Sequence, residues 1–349
     1  MIVKNEPQQI ITLGTTVDNP NMKAAKAAGI TLEDLKEKAD MLNLTAKDYK
    51  IDTSKKKISF TDDISFKVRD QNLNLTEHAF GQVCTLLGVP SKYMKKCIER
   101  NKINLFQNNV KEWSKEFDKE LNVRTNKGII RAIVSQNYVP YDNNEVIDDV
   151  ASAIKDSNIN FVPVGAYINE DRINIRLIDI DNPFYVNGDD SPMYIGVNIS
   201  NSNIGTSSTS IKFFIYRQWC KNGCTVTKAG GTLYRQTHAG TENKFTRRLN
   251  FFSAIQNIEY LRDAVIEALN NSNNEVLKES EILNIIERMK KEVSLSEKAS
   301  ETILEVAQGK YGSTKYGLIN GITEVAQSYE SLDTRLQLEE YAGKLLIAK

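Results

Sequence analysis

The sequence has little of the residue types that most often carry metal or redox chemistry. It contains 2 His and 4 Cys among 349 residues. Four cysteines are too few for a disulfide framework, so we expect reduced thiols. No apolar run approaches the roughly 18 residues that a membrane helix needs, and the opening stretch MIVKNEPQQIITLG lacks the apolar core of a secretion signal. We therefore expect a protein of the cytoplasm with no membrane contact.

An excess of charge of one sign is also absent. The chain has 45 Lys+Arg and 45 Asp+Glu, and its 40% hydrophobic and 26% charged residues are typical of a folded globular protein. Its length predicts two domains or one large elaborated domain. A net charge of zero argues against a polyanionic partner only if the charges are spread evenly. We therefore counted charge segment by segment along the chain.

The charge is spread unevenly. Residues 211–250 hold 8 basic and 1 acidic side chains, a net of +7, whereas residues 251–349 hold 11 basic and 16 acidic ones, a net of −5. The other 210 residues hold 26 basic and 28 acidic side chains, a net of −2. The basic block also contains the rings of Phe213, Phe214, Tyr216, Trp219, Tyr234, His238 and Phe245. Cations that contact phosphates and rings that stack on bases form a single-strand site; the alternative is a solvated strand face with core aromatics behind it.

The pattern of apolar residues predicts three regions. Residues 1–120 form a mixed helical and hairpin region, in which 49–51 and 58–60 are two short strands around a turn. Residues 121–250 form a core with a hairpin around Asn126-Lys127-Gly128, a helix over 144–155 and strands over 161–168, 172–178, 193–200 and 210–216. Residues 251–349 form an acidic helical region. Because the core lacks regular βαβ alternation, we predict an α+β fold with an antiparallel sheet.

Three short motifs suggest other chemistry. Cys220, Cys224 and His238 could supply three metal ligands, but the spacing is not that of a C-x-x-C pair, and buried cysteines beside a turn are the alternative. Asp179 and Asp181 would project from one side of a strand, as in a metal-dependent nuclease, although turns also collect aspartate. Residues 309–315 resemble a phosphate loop but do not match its pattern and follow a helix, so we predict a helix break there.

Several segments together resemble a known family. They are LTEHAFGQVCTLLGVPSKYM, VRTNKGIIRAIVSQNYVPYDNNEVI, FIYRQWCKNG, RQTHAG and YGSTKYGLINGITEVAQ, which cover most of residues 70–335. The most specific features are Arg131 with Tyr138-x-Pro140, and Arg217-x-x-Cys220-x-Asn222-Gly223. In this order they are similar to phage/plasmid-like proteins that are grouped as a domain family of unknown function. The resemblance implies a mobile genetic element and gives no reaction.

A more distant resemblance is to the phage single-strand annealing recombinases of the RecT, Red-beta and Erf kind. It implies a basic, twisted antiparallel sheet with a crossing helix beside helical extensions. Together with the residue pattern, this predicts a central twisted antiparallel sheet with a crossing helix, flanked by an N-terminal mixed region and a C-terminal helical region. The resemblance also implies binding of single strands without nucleotide or metal cofactors, and assembly into rings or filaments.

Our leading hypothesis is a phage-encoded protein that binds single-stranded DNA and anneals complementary strands. It is expected to be a homo-oligomer, with host or phage replication proteins as further partners. The alternatives are a phage interaction protein, such as a host-defence antagonist, that binds an acidic protein surface, and a nucleic-acid enzyme that uses Asp179 and Asp181. The residues expected to bind nucleic acid are Lys127, Arg131, Tyr138, Lys212, Arg217, Trp219, Lys221, Lys228, Tyr234, Arg235, His238, Arg247 and Arg248.

Overall fold

The chain builds two β-sheets, each packed against helices. The computed structural model describes residues 2–3, 31–54, 58–68, 70–218, 222–226, 232–239 and 244–348. Within them, no helix combines the length and the apolar character needed to cross a membrane. The mixed α+β class predicted from the sequence is confirmed.

The first sheet has the strand order β1-β4-β6-β5-β2, with β3 paired to β4. Its β1–β4 and β4–β6 pairs are parallel and the others antiparallel. Its strands are β1 Ile2–Val3, β2 Lys47–Asp52, β3 Phe66–Val68, β4 Gln71–Thr76, β5 Glu120–Asn126 and β6 Ile129–Ser135. The helices in this part of the chain are α1 Leu32–Asn43, α2 Glu77–Leu86, α3 Ser91–Glu99 and α4 Ile103–Ser114.

Aromatic rings lie at the centre of the core that packs on the first sheet. Phe106 of α4 stacks on Phe80 of α2, with ring centroids 6.2 Å apart, and meets Phe60 edge-on at 5.1 Å. The hairpin predicted between residues 49–51 and 58–60 is wrong, because Phe60 packs into this core instead of pairing with β2. Phe60 makes only an isolated bridge with Phe66, and β2 pairs instead with β5.

The β5–β6 hairpin is confirmed as predicted, around Asn126-Lys127-Gly128. Lys127 and Gly128 have φ angles of 49° and 72°, which is the left-handed backbone that a two-residue hairpin turn requires. The hairpin pairs with β2 and β4 of the first sheet, although the sequence analysis grouped it with the core of residues 121–250.

The second sheet is antiparallel throughout and has the order β12-β11-β10-β8-β7, with β13 paired to β11 and β9 to β10. Its strands are β7 Phe161–Ile168, β8 Arg172–Asp179, β9 Phe184–Val186, β10 Asp189–Ser202, β11 Thr209–Arg217, β12 Asn222–Val226 and β13 Thr232–Gln236. The helices of this part are α5 Asn143–Asp156, α6 Lys244–Gln256, α7 Ile258–Asn274, α8 Glu279–Val293, α9 Glu297–Val306, α10 Lys315–Gln327 and α11 Leu332–Leu346.

One face of the second sheet is apolar and shares a core with these helices. Val197 and Phe213 lie at the centre of that face and are fully buried. The same cluster contains Val150 of α5, Ile255 of α6, Val265 of α7, Ile322 of α10 and Leu338 of α11. The C-terminal helical region therefore packs on the sheet of its own chain.

A break separates α9 from α10 at the segment that resembles a phosphate loop. A π-helical turn spans Ala307–Tyr311, and Gly312 follows with a φ angle of 87°. The helix break predicted for residues 309–315 is confirmed, and Thr314 then caps α10 by accepting a hydrogen bond from the Gly317 amide.

Candidate functional site

The second face of the second sheet is polar and carries cations in register. Asn198 of β10 lies opposite Arg176 of β8 on one side and Lys212 of β11 on the other. Because side chains alternate along a strand, neighbouring positions of the same parity share this face. We call it the polar face, and it comprises Arg172, Asn174, Arg176, Asn198, Ser200, Ser210, Lys212 and Arg235.

Three of these cations contact carboxylates of α11. Arg172 Nη1 lies 2.6 Å from Asp333 Oδ1. Arg176 Nη1 donates to Glu339 Oε1 at 3.1 Å, and its Nη2 bonds the other carboxylate oxygen. Lys212 forms an ion pair with Glu340. The acidic helix therefore neutralises much of the polar face within the same chain.

Arg235 differs from these three cations because it is exposed. Its Nε donates to the Ser208 hydroxyl at 3.1 Å. Among the residues that the structure describes, no carboxylate lies within ion-pairing distance of it. Arg235 thus leaves the polar face with one open cationic position.

A second polar cluster, the junction, lies where the first sheet meets the end of β10. At its centre is Arg124 of β5, which is 2% exposed. Its Nε lies 3.0 Å from Asp48 Oδ1 and its Nη2 lies 2.8 Å from Asp142 Oδ1. The Tyr138 ring covers the guanidinium at 5.5 Å, and the His238 imidazole stacks on Tyr138 with centroids 5.3 Å apart.

Charge in the junction follows from burial and pairing. Burial opposes the charged form of Arg124, yet Asp142 and Asp48 raise its pKa above the usual value. Burial lowers the pKa of His238 and so favours the neutral imidazole. Beside the imidazole is a cavity of about 10 Å³ that Arg247 also lines, with room for about one water molecule.

Several residues predicted to bind nucleic acid lie in or near the junction. Arg131 is 2% exposed and donates from Nη1 to the Glu170 carbonyl at 2.8 Å, and burial lowers its pKa. Lys127 Nζ lies 2.5 Å from Glu170 Oε1. Arg247 is buried, and its guanidinium lies 4.5 Å from the Tyr141 ring centroid. Arg248 is exposed, and its Nε lies 3.2 Å from Asp149 Oδ1.

Other predicted residues lie elsewhere. Arg217 is buried at the far end of β11, where Asp189 accepts from its Nε and Nη2, both at 2.9 Å. Tyr234 packs edge-on against Phe251, with centroids 5.1 Å apart. Trp219, Lys221 and Lys228 lie outside the described residues. The ten predicted positions that the structure describes therefore do not form one continuous open surface, and contact of the thirteen with nucleic acid stays a prediction.

The aromatic side chains of β11 are buried on both faces of the sheet. Phe213 and Phe214 are both 0% exposed, and Tyr216 is 3% exposed. The Arg176 guanidinium lies 5.2 Å from the Phe214 ring centroid, so this ring packs beneath a cation of the polar face. These rings belong to the core, which was the alternative left open by the sequence.

The aspartates considered for metal chemistry each bond to an asparagine. Asn182 donates to Asp179 at 2.8 Å, and Asn160 donates to both oxygens of Asp181 at 3.0 and 2.9 Å. In the described ranges, no group of three or more His, Cys, Asp or Glu side chains is arranged to hold a metal ion. Cys224 lies in the apolar core, and Cys220 falls outside the described residues.

Arg124, Arg172 and Arg176 were not predicted as site residues from the sequence. Arg172, Asn174 and Arg176 occupy every second position of a predicted strand, and this polar alternation is a readable signal for one solvated face. Arg124 carries no such signal, because its partners Asp48 and Asp142 lie 76 and 18 residues away in the chain.

The fold and its polar clusters define a mixed α+β protein whose antiparallel sheet has a cationic face covered in part by an acidic helix. The chain belongs to the family described as Domain of unknown function (DUF932), whose model matches residues 131–341. No curated protein and no solved structure matches the chain. The family match begins within β6, so most of the first sheet and its helices lie outside it.

Proposed function

We propose that this protein binds single-stranded DNA and promotes the annealing of complementary strands, without nucleotide or metal, for a phage or a related mobile element. The observation that carries the proposal is the alignment of Arg172, Arg176, Lys212 and Arg235 on one face of an antiparallel sheet. Cations gathered on one face suit a polyanion, because their charges act together on its phosphates.

The contacts with α11 support an anion-binding role for the polar face. Arginine forks bind carboxylate and phosphate oxygens with the same planar geometry, so a face that holds Asp333 and Glu339 has the chemistry to hold phosphates. In the proposal, phosphates first contact the open Arg235. Neutralised strands repel one another less, which speeds their pairing.

The oligomeric form belongs to the same proposal. Rings or filaments are the form expected from the sequence analysis, as for annealing proteins of the RecT, Red-beta and Erf kind. Several copies side by side extend a short row of cations into a track long enough to hold a strand.

A second candidate function is the binding of an acidic protein partner. The observation that favours it is that an acidic helix, α11, already occupies part of the polar face through Glu339 and Glu340. A partner helix with carboxylates at the same spacing has complementary charge.

The test is a titration of the full chain with fluorescently labelled oligothymidine at several salt concentrations. Contact with Z phosphates gives a log-log slope of about −0.7Z. Arg235→Ala is expected to make the slope shallower by about 0.7, whereas Arg288→Ala, the loss of an exposed arginine on the acidic helix α8, leaves it unchanged. No binding at low salt contradicts the proposal and leaves the acidic partner as the remaining candidate.

Annealing itself is measured with two complementary oligonucleotides in the presence of a chelator. Faster pairing with protein than without it supports annealing free of metal. Strand cleavage that stops on chelation supports the nuclease hypothesis instead.

A further inference from the structure

Helices α3 and α4 lie in the part of the chain that forms the first sheet. Most of the exposed cations of this helix pair have no acidic partner among the described residues. Residues 91–115 hold seven basic side chains, at 92, 95, 96, 100, 102, 111 and 115, and two acidic ones, at 99 and 112, a net of +5. Lys95 pairs with Glu77 and Lys115 with Glu112. Among the described residues, no carboxylate lies within ion-pairing distance of Lys92, Lys96, Arg100, Lys102 or Lys111.

These cations are arranged in a line on α3. Lys92 and Lys96 of α3 and Arg100, which directly follows its last residue, are spaced four residues apart, so they lie on one side of the helix, and all three are exposed. The opposite side of α3 is anchored in the core through Met94 and Cys97. The charges are therefore held on a fixed support.

Apolar and aromatic side chains are exposed beside this line. On α4, Leu105, Asn109 and Trp113 repeat at intervals of four, and Leu105 and Trp113 are 47% and 46% exposed. Asn109 Nδ2 lies 3.5 Å from the hydroxyl of Tyr93 on α3, which is 40% exposed. Asn109 thus lies between two exposed rings, in contact with Tyr93 and one helical turn from Trp113, while Phe106 and Val110 hold α4 to the core from behind.

We infer that this α3–α4 surface, formed by Lys92, Tyr93, Lys96, Arg100, Leu105, Asn109 and Trp113, is a binding site for single-stranded DNA. The inference rests on the proposed function and names a contact site for it outside the region of the family match. The lysines and Arg100 contact phosphates, while Trp113 and Tyr93 stack on bases without regard to sequence. No acidic helix covers this surface in the described part of the chain, in contrast to the polar face.

The two tryptophans of the chain provide a direct test. In a Trp219→Phe variant, Trp113 is the sole tryptophan, and stacking on a base quenches its fluorescence. We expect saturable quenching by oligothymidine, with the same midpoint as fluorescence anisotropy of the labelled strand. In a Trp113→Phe variant, the remaining signal reports Trp219 in the basic block that the sequence analysis favoured.

Charge is tested separately with a triple variant. Lys92→Ala with Lys96→Ala and Arg100→Ala is expected to make the salt slope shallower by about 2, since each phosphate contact contributes about 0.7. The matched control removes three exposed cations of α8 and α9, through Arg288→Ala, Lys291→Ala and Lys298→Ala, and should leave the slope unchanged.

The outcomes separate this inference from the proposed function. If the native chain binds DNA while Trp113 fluorescence and the slope of the α3 triple variant stay unchanged, the α3–α4 site is wrong and the proposed function stands. If the native chain binds no single-stranded DNA at low salt, the proposed function itself fails. Circular dichroism of each variant verifies that the helices remain folded.

Discussion

Arg176 of β8 and Glu339 of α11 form a buried ion pair joined by two hydrogen bonds, across 163 residues of sequence. Glu339 is 0% exposed and Arg176 is 7% exposed. Arg335 and Gln327 also donate to the same carboxylate, so its oxygens are fully satisfied. The pair fixes the acidic helix against the polar face.

Removal of this carboxylate is expected to be strongly destabilising. Glu339→Ala leaves Arg176 buried without its anion, which lowers the free energy of unfolding by about 3–5 kcal/mol. Urea denaturation of the full chain measures the change. Glu330→Ala removes an exposed carboxylate just before α11 and serves as control, with an expected change within about 0.5 kcal/mol. Equal effects of the two substitutions would show that the pair is not what holds α11.

Release of Lys212 is expected to strengthen DNA binding at the polar face. Glu340→Gln keeps the size of the side chain and removes the charge that pairs with Lys212. A partly exposed pair of this kind is worth about 0.2–1 kcal/mol, so affinity for oligothymidine should rise by about 1.4- to fivefold. Anisotropy at low salt measures it, with Glu330→Gln as control. Unchanged affinity would indicate that phosphates do not reach Lys212.

Acidification is expected to destabilise the fold through its two histidines. Burial lowers the pKa values of both His78 and His238, so the unfolded chain binds protons more readily near its histidine pKa of about 6.5. The free energy of unfolding is therefore at its full value above that pH and declines below it, by less than roughly 1.4 kcal/mol per pH unit for each histidine. Asp171, whose pKa is raised by burial, acts in the opposite direction.

Urea denaturation at pH 7.5 and 5.5 measures this dependence. The double variant His78→Gln with His238→Gln should lose most of the difference between the two values. A native chain that is equally stable at both values would mean that neither histidine resists protonation. His238 is the more informative of the two because Arg124, whose charge opposes a second cation, lies close to it in the junction.

Local patterns were sufficient to predict most of the second sheet and its helices. The four strands of the core and the 144–155 helix follow from apolar periodicity, and the β5–β6 turn follows from Asn126-Lys127-Gly128. Pairing between distant segments could not be read in this way. β2 lies beside β5 because both contribute to the core around Phe106, and nothing near Tyr49 in the sequence records that contact.

The count of charges along the chain was informative only when the counted segment was short enough. The +7 block correctly locates cations, but Lys212 and Arg217 find carboxylates at residues 340 and 189, which no count of neighbours could foresee. The α3–α4 surface was hidden for the opposite reason. A net of +5 over 25 residues disappears when residues 1–210 are summed to −2.

Glycines at two positions should respond to alanine with opposite signs. Gly81 lies within α2, where an added Cβ meets nothing within 4 Å, so Gly81→Ala should stabilise the fold by up to about 1 kcal/mol through helix propensity. Gly196 lies in β10, where an added Cβ would be 1.9 Å from the Leu177 carbonyl oxygen. Gly196→Ala must therefore push β8 and β10 apart, which costs at least about 1–3 kcal/mol, as overpacking in a core does. Thermal unfolding of both variants checks the signs, and a neutral Gly196→Ala would mean that the two strands are less closely spaced than this register requires.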